Sequence, residues 1–385
     1  MAWSPCIARA GFALVLAAPA CTVRDAFQPV ASSTGEPAAC ARDHAGELVC
    51  LRARTDCPAG ALECERALVD PVGQLRRLPR VGAPLSFRAG AMASVDRRNH
   101  FQSVQRIPGR GPARFVVTRS TADPDDADVG LFQPGLGVLA AFDLGTAYTH
   151  AGGGQRMGAV FAVPLERGAG GSSVVLIDLA DAGAPRLLAS VPHVGPAGQP
   201  IDQAGTAGLA ALADGRYLLV VGRRHANQLD FYLSSSADLA TTSWSYLDHW
   251  FEGELATAIG DRAFGDYQNL ALVPAADGSL YLLGSHRHRG GIDWLDLHRL
   301  SVAADSRDGL DVLVTKVARK HLRCSVAGAE HCDLDAGAGA YVGGDGRLRV
   351  YGITRAVRDR RSRGSRAQIG MMEFVSAAAP SLASM

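Results

Sequence analysis

The 385-residue sequence predicts an all-β protein, a β-propeller of about five blades with four antiparallel strands each. Three observations favour this fold. A strand–turn–strand unit returns five times, further apolar strands follow most copies, and no long stretch after the N-terminal leader has helical periodicity. A β-sandwich or two smaller β domains is the alternative, but neither explains why the same strand order returns.

The three strongest copies each contain a strand, an Asp-Gly turn and a second strand, the pattern of a β-hairpin. They cover residues 204–221, 266–283 and 335–351, and two weaker copies cover residues 100–118 and 150–163. The last copy lacks a fourth strand. We therefore expect Pro84–Phe87 or a neighbouring segment to complete it, which would protect two open sheet edges.

The pattern His-x-Gly-Gly-x-Gln at His150 to Gln155, together with His100-x-Gln102 and the Asp-Gly turns, resembles secreted bacterial β-propeller proteins. The resemblance covers residues 95–376. It implies a propeller architecture and export, and it supplies no catalytic residues.

Residues 1–20 have the features of a secretory signal peptide: Arg9, an apolar run and a small-residue ending. The run is too short to span a bilayer. Leu16 to Cys21 resembles a bacterial lipoprotein signal, although Ala18 replaces the usual Leu. We therefore expect Cys21 to be lipidated; the alternative is ordinary secretion with cleavage beyond Cys21.

The sequence thus divides into a signal peptide (1–20), a tether with a small disulfide-stapled segment (21–80) and a β-propeller (81–380).

Six cysteines remain once Cys6 is removed with the signal peptide and Cys21 is assigned to the lipid. Short-range pairing in an oxidising compartment predicts the disulfides Cys40–Cys50, Cys57–Cys64 and Cys324–Cys332. A zinc site within residues 40–64 is disfavoured because the Cys-x2-Cys spacing is missing. The predicted location is the periplasm, the outer membrane or the cell surface as a lipoprotein, or otherwise the medium.

The charges nearly cancel, with 39 Lys and Arg against 38 Asp and Glu. No global field therefore favours nucleic acid, and we expect no nucleic-acid partner. The expected partners are an envelope ligand or protein, and the membrane through the lipid anchor.

Alignment of the copies places His100, His150, Gly205, Asp266 and Asp335 at equivalent starting positions of the inner strands, where Gly and Ala suit a narrow axis. Equivalent positions lie at the same level of a propeller. The predicted ligand-binding residues are therefore His100, Gln102, His150, Gln155, Asp266, Gln268 and Asp335. A divalent metal at His100, His150, Asp266 and Asp335 is a second expectation, zinc rather than calcium because the ligands mix nitrogen and oxygen. A water-filled channel lined by hydrogen-bonded polar groups is the alternative.

Three other polar clusters have an ordinary interpretation as solvated loops. His286 and His288, with His298, lie near the pair Gly290-Gly291, where exposed polar residues are expected. The acidic segment 123–128 lacks the Gly and distal Glu of a calcium loop. The arginines of residues 355–366 predict an exposed hairpin, with binding of phosphate, sulfated sugar or lipopolysaccharide as the alternative.

No Gly-x-Ser-x-Gly elbow, phosphate-binding loop or dinucleotide fingerprint occurs in the sequence. Two classes of function remain. The favoured one is an exported cell-envelope propeller that binds a glycan, small molecule or protein at its channel face. The alternative is a hydrolase of the glycosidase type, in which Asp266 and Asp335 form the required pair of carboxylates.

Overall fold

A computed structural model gives the structure of most of the chain. It describes residues 39–43, 46–57, 65–88, 100–109, 111–120, 127–144, 148, 150–167, 170–181, 183–223, 226–251, 256–257, 267–288, 292–304, 310–326, 329–330, 332–335, 337–355 and 368–378. The predicted leader with Cys21, and also Cys64, Asp266, residues 121–126 and residues 356–367, lie outside these ranges. Residues 35–385 belong to one compact unit.

The first described elements precede the repeats. They are β1 (Cys40–Arg42), β2 (Leu48–Cys50), α1 (Pro71–Arg76) and β3 (Ala83–Arg88). Asp70 caps α1 by accepting the N–H of Gly73 at 2.8 Å, and Pro71 occupies the first helical turn, where its missing N–H costs nothing.

The repeats form successive antiparallel sheets, each meandering along the chain. Sheet I consists of β4 (His100–Ile107), β5 (Arg114–Ser120), β6 (Asp128–Gln133) and β7 (Gly137–Asp143). Sheet II consists of β8 (His150–Ala151), β9 (Gln155–Met157), β10 (Val160–Glu166), β11 (Ser172–Asp178) and β12 (Arg186–Pro192). Sheet III consists of β13 (Thr206–Ala211), β14 (Tyr217–Arg223), β15 (Gln228–Ser234) and β16 (Trp244–Phe251).

Two further sheets complete the series. Sheet IV contains β17 (Ala256–Thr257), β18 (Asn269–Pro274), β19 (Leu280–His288), β20 (Ile292–Ala303) and β21 (Asp311–Leu322). A small hairpin follows, made of β22 (Ser325–Val326) and β23 (Ala329–Glu330). Sheet V contains β24 (Gly337–Val342), β25 (Leu348–Ile353), β26 (Gln368–Val375) and β3.

The N-terminal strand β3 is the fourth strand of sheet V, where Phe87 pairs with Ile369 of β26. This is the segment that the sequence predicts as the completing strand. The three predicted Asp-Gly turns are also present. Gly215, for example, has φ +88°, a conformation that glycine adopts without a steric penalty.

The hydrophobic core is divided among the sheets. Each of the five clusters of buried apolar side chains lies between two neighbouring sheets, and one of them joins sheet V to sheet I. Strands such as β13 are therefore buried on both faces, whereas the outer strand β7 alternates between covered and exposed positions. The described fold is nearly all β and propeller-like, because each sheet can cover its faces only by stacking on its neighbours.

The segment before β3 packs across the turns of three sheets. Ala53 forms a bridge with Leu212 in sheet III, Leu68 forms one with Ala275 in sheet IV, and Leu348 N–H of sheet V donates to the Gln74 side chain. Residues 51–57 and 65–74 thus follow one end of the stacked sheets.

Disulfide bonds join Cys40 to Cys50 and Cys324 to Cys332, and Cys57 is also disulfide-bonded. They are consistent with an exported protein, because disulfides persist in oxidising compartments. None of the helices in the described ranges is long and apolar enough to cross a membrane.

Candidate functional site

The first strands of the five sheets, β4, β8 with β9, β13, β18 and β24, contact one another in order, and β24 also contacts β4. We call the end at which they begin the starting end, and the end at which their hairpins turn the turn end. Parallel bridges link neighbours, as between Gly153 and Thr206 and between Ser103 and Ala338.

Within the described residues, the first strands approach one another closely along the axis. A Cβ at Gly153 would collide with the carbonyl oxygen of Gln268, and one at Gly339 with that of Val104. Cavities found along the strands have volumes of only about 10 Å³, room for roughly one water.

Gln155 ties these strands together. Its Oε1 accepts the N–H groups of Leu209 and Leu272 at 2.9 and 2.8 Å, and its Nε2 donates to the Leu272 carbonyl at 2.9 Å. The side chain is 3% exposed. Gln155 therefore has a structural role, since its amide is committed to backbone groups of sheets III and IV.

The turn end of the axis is covered by a charged pair. Arg156, which is 1% exposed, donates through Nη2 to Glu65 Oε2 at 2.7 Å. Burial raises the pKa of Glu65 despite the neighbouring guanidinium. Two cation–π contacts add to this pair. The guanidinium carbons of Arg106 and Arg156 both lie 5.2 Å from the ring centre of Tyr341.

The starting end carries a chain of polar side chains. The amide nitrogen of Gln102 lies 2.7 Å from His100 Nε2 and 2.8 Å from His150 Nε2. An amide nitrogen has two N–H donors, so Gln102 can donate to the Nε2 atoms of both imidazoles. Gln102 is 3% exposed, so the two imidazole rings are held by a buried amide.

Glu166 completes this chain, and sequence analysis did not identify it. Its Oε2 accepts the Nδ1–H of His150 at 2.9 Å, and its Oε1 accepts the backbone N–H of Ala204 at 3.1 Å. The side chains of His150 and Glu166 remain 29% and 24% exposed. We call His100, Gln102, His150 and Glu166 the histidine cluster; it is hydrogen-bonded internally and in contact with solvent.

The other predicted residues lie outside the strands or in a different register. Asp335 lies in a turn before β24, where its N–H donates to the Asp333 carboxylate at 3.1 Å. The bridge between Ser103 and Ala338 does not give its level relative to His100, because the register of β4 is irregular between Phe101 and Ser103. Gly205 does not match His150, because the bridge from Gly153 to Thr206 places it opposite Gly152. The predicted alignment is therefore wrong by two residues in sheet III.

A metal site is not formed by the described part of this end. Within the ranges given above, no group of three or more His, Cys, Asp or Glu side chains is placed to hold a metal ion. Asp266, one of the four predicted ligands, lies outside those ranges. The metal expectation stays a prediction.

A second imidazole–carboxylate arrangement is entirely buried between sheets II and III. His193 Nδ1 lies 2.9 Å from Ser172 Oγ, and its Nε2 lies 2.9 Å from Asp230 Oδ2. These residue types resemble a hydrolytic triad, but the side chains of His193 and Asp230 are 0% exposed. The Ser172 hydroxyl also donates to the Ile201 carbonyl at 2.7 Å, so its hydrogen is committed.

Arg223 makes the buried arrangement a structural clamp. It donates to Asp230 through Nε at 2.7 Å and Nη2 at 2.8 Å, a bidentate pairing. Burial by itself would raise the pKa of Asp230, but hydrogen bonds from Arg223 and His193 outweigh burial and lower it.

A third buried cluster occupies sheet IV and corrects the interpretation of His286 and His298 as solvated. His286 is 6% exposed and His298 0%. Asp296 accepts from Arg319 and from the hydroxyl of Tyr267, and its Oδ2 lies 3.1 Å from the fully buried Lys316 Nζ. Burial lowers the pKa of His298 to about 3.

Comparison with known proteins reveals only distant likeness. No protein-family model matches the sequence, and no curated protein does either. Among solved structures, a protein of unknown function from Dyadobacter fermentans is 12% identical, with 78% of this chain and 100% of that chain covered and a TM-score of 0.41.

Two α-L-arabinofuranosidases are similarly distant. The GH62 catalytic domain from Coprinopsis cinerea is 12% identical over 78% of this chain and 98% of its own, with a TM-score of 0.43. The enzyme from Podospora anserina is 10% identical over 80% and 98%, with a TM-score of 0.45.

Proposed function

We propose that the chain is an exported five-bladed propeller, closed by β3, that binds a neutral, hydroxyl-bearing ligand such as a glycan unit at its starting end. One observation carries the binding site: the imidazoles of the histidine cluster lie at the start of two first strands, are hydrogen-bonded through His150 to Glu166 of β10, and keep solvent contact. The turn end offers no equivalent, since Glu65 and Arg156 cover it.

The chemistry of the cluster favours hydroxyl groups. Imidazole and amide side chains each donate and accept hydrogen bonds, as a hydroxyl does. Glu166 brings a negative charge beside His150, which disfavours an anionic ligand at this position. A few precisely placed polar groups of this kind fix the orientation of a ligand.

Binding is tested with a panel of neutral pentoses, hexoses and short oligosaccharides, followed by NMR or calorimetry. We expect a sugar that binds the wild type to bind His150→Ala at least about tenfold more weakly. His249→Ala is the matched control, because His249 lies on the outer strand β16 with 42% of its side chain exposed. Equal loss in both variants, or no binding by any panel member, would contradict the proposal.

Hydrolysis is the second candidate, and one contact favours it. Glu166 orients the His150 ring, as a carboxylate does for a general base. A glycosidase also needs a pair of carboxylates, and the pair proposed from the sequence is Asp335 with Asp266. Aryl-glycoside turnover that is lost in Asp335→Asn and in Asp266→Asn, with sugar binding retained, would decide for hydrolysis.

Export through a lipid anchor is the remaining part of the proposal. The signal-like leader and the disulfides support it. Intact mass of protein from the membrane fraction should show acyl chains on an N-terminal Cys21. A soluble, unmodified chain that begins beyond Cys21 would support ordinary secretion instead.

A further inference from the structure

A pocket of about 250 Å³ lies away from the histidine cluster, beside the end of β21. Its four lining residues are all basic: Arg80, Arg319, Lys320 and His321. The pocket is smaller than the roughly 300 to 1,000 Å³ of sites for drug-sized ligands, so it suits a small group.

The backbone around this pocket, which we call the basic pocket, is held in place. Arg80 lies in the segment between α1 and β3, and its carbonyl accepts the N–H of Arg323 at 2.8 Å. Val81 then forms a parallel bridge with Arg323. The segment that carries Arg80 is therefore fixed against the end of the sheet IV edge strand.

Two of the basic side chains are rigidly positioned. The guanidinium of Arg319 donates to Asp296 through Nε at 2.5 Å and Nη2 at 2.7 Å, and it lies 4.0 Å from the ring centre of Trp294. His321 stacks on Trp294 with ring centres 4.9 Å apart. A binding group that is already ordered loses little entropy when a ligand arrives.

Basic residues are frequent along β21, where Asp296 of β20 offsets the charges of Lys316 and Arg319 and leaves Lys320 as the basic residue of the pocket nearest to them. Residues 312–323 contain four Lys and Arg residues and no Asp or Glu, and they include both lysines of the chain, Lys316 and Lys320. Lys320 donates one of its three N–H bonds to the Arg76 carbonyl at 2.8 Å. Partial burial lowers the pKa of Lys320, an effect that a bound anion would reverse.

We propose that the basic pocket binds a tetrahedral oxyanion, the phosphate or sulfate group of a ligand. The guanidinium fork of Arg80 matches the oxygen geometry of such a group, and the ammonium of Lys320 adds a point charge. Arg319 is engaged with Asp296 through its own fork and contributes positive potential to the wall of the pocket. The site is separate from the histidine cluster, whose chemistry disfavours anions, and it does not depend on the function proposed there.

The test titrates inorganic phosphate and inorganic sulfate into the full chain at constant ionic strength, with chloride as the reference salt. We expect saturable binding of at least one oxyanion. Arg80→Ala and Lys320→Met should each weaken it by about tenfold, the effect of losing one charge-assisted hydrogen bond.

Arg323→Ala is the matched control, since Arg323 is exposed, carries the same charge and does not line the pocket. Its effect should stay below about twofold, because a surface charge is screened by salt. Equal weakening in all three variants would mean only general attraction and would overturn the proposal, as would a lack of saturable binding. Should Lys320→Met reduce the melting temperature, Lys320→Arg, which keeps the charge, must restore binding.

Hexose 6-phosphate and hexose 6-sulfate then distinguish the two sources of the oxyanion. A preference for either over the uncharged hexose, lost in Arg80→Ala, assigns the ligand class. Inorganic phosphate and sulfate carry no sugar hydroxyls, so their binding reports on the basic pocket alone, and failure here can be told apart from failure of the histidine cluster.

Discussion

Two imidazole–carboxylate pairs in this protein have the same contact distance and differ in their surroundings. His150 meets Glu166 at 2.9 Å, and His193 meets Asp230 at 2.9 Å. The first pair is about a quarter exposed, whereas the second has no exposed side-chain surface. Distance alone therefore does not identify a functional site; solvent access and the third partner do.

The third partners differ in charge. Asp230 is held by the bidentate Arg223, so its hydrogen-bonding capacity serves to join sheets II and III. Glu166 instead takes a neutral N–H from Ala204, and His150 takes one from Gln102. The His150–Glu166 pair therefore has neutral hydrogen-bond partners and is accessible to a ligand. The charges of the buried His193–Asp230 pair and Arg223 are instead satisfied by one another.

The largest expected loss of stability follows from removing the carboxylate of the buried pair. Asp230→Ala leaves Arg223 and His193 without their carboxylate in a buried site, and we expect a loss of about 3 to 5 kcal/mol in the free energy of unfolding. Urea denaturation measures it. The pKa of Asp230 is lowered in the folded state, so its stabilisation exists above the ordinary carboxyl pKa and is lost as the pH falls.

The difference between wild type and variant should therefore shrink on acidification. Arg223→Ala, which removes the other half of the clamp, should be destabilising too and should add little to Asp230→Ala in the double variant. Full additivity of the two would show that the residues act independently and would contradict the clamp.

A smaller effect of opposite sign is expected at Asp248, a carboxylate with no bidentate partner. Its Oδ2 accepts the N–H of Val312 at 2.6 Å, and burial raises its pKa to about 6. The folded state then holds a proton that the unfolded chain releases near pH 4, so stability falls as the pH rises from about 4 to 6.

Asp248→Asn removes this cost and retains an acceptor for Val312. We expect stability at pH 7 to increase by about 2 to 3 kcal/mol, with no gain below about pH 4. Thermal unfolding across that range measures the change. A gain that is the same at every pH would mean that packing, and not ionisation, is responsible.

Much of the fold was predictable because its signals are local. Asp-Gly pairs indicate hairpins directly, and Gly215, Gly278 and Gly346 all take the positive φ that such turns favour. The missing fourth strand of the last repeat pointed to Pro84–Phe87. By contrast, the coverage of the turn end by Glu65 depends on a contact with Arg156 across about 90 residues, which no periodicity indicates.

The site was predictable only in part, and Glu166 shows why. Counting back from the hairpin turn between Met157 and Val160 places Arg167 opposite His150. The irregular stretch 152–154 shifts the pairing by one residue, so Glu166 faces His150 instead. The partners His193 and Asp230 lie in different sheets, and their meeting depends on sheet stacking rather than on spacing.

The smallest expected change in the free energy of unfolding is at Glu166, and it tests the difference between the His150–Glu166 pair and the His193–Asp230 pair. Glu166→Gln replaces an exposed partner of His150, and exposed pairs contribute at most about 1 kcal/mol, so the free energy of unfolding should change by less than that. The amide nitrogen of Gln must face either His150 Nδ1–H or Ala204 N–H, which sets donor against donor and releases the His150 ring from its fixed tautomer. Nitrogen NMR shifts of His150 should detect this release, and affinity for any sugar that binds the wild type should fall by about tenfold. Destabilisation as large as that of Asp230→Ala would show that Glu166 is also a structural clamp, and the proposed site at the starting end would then be lost.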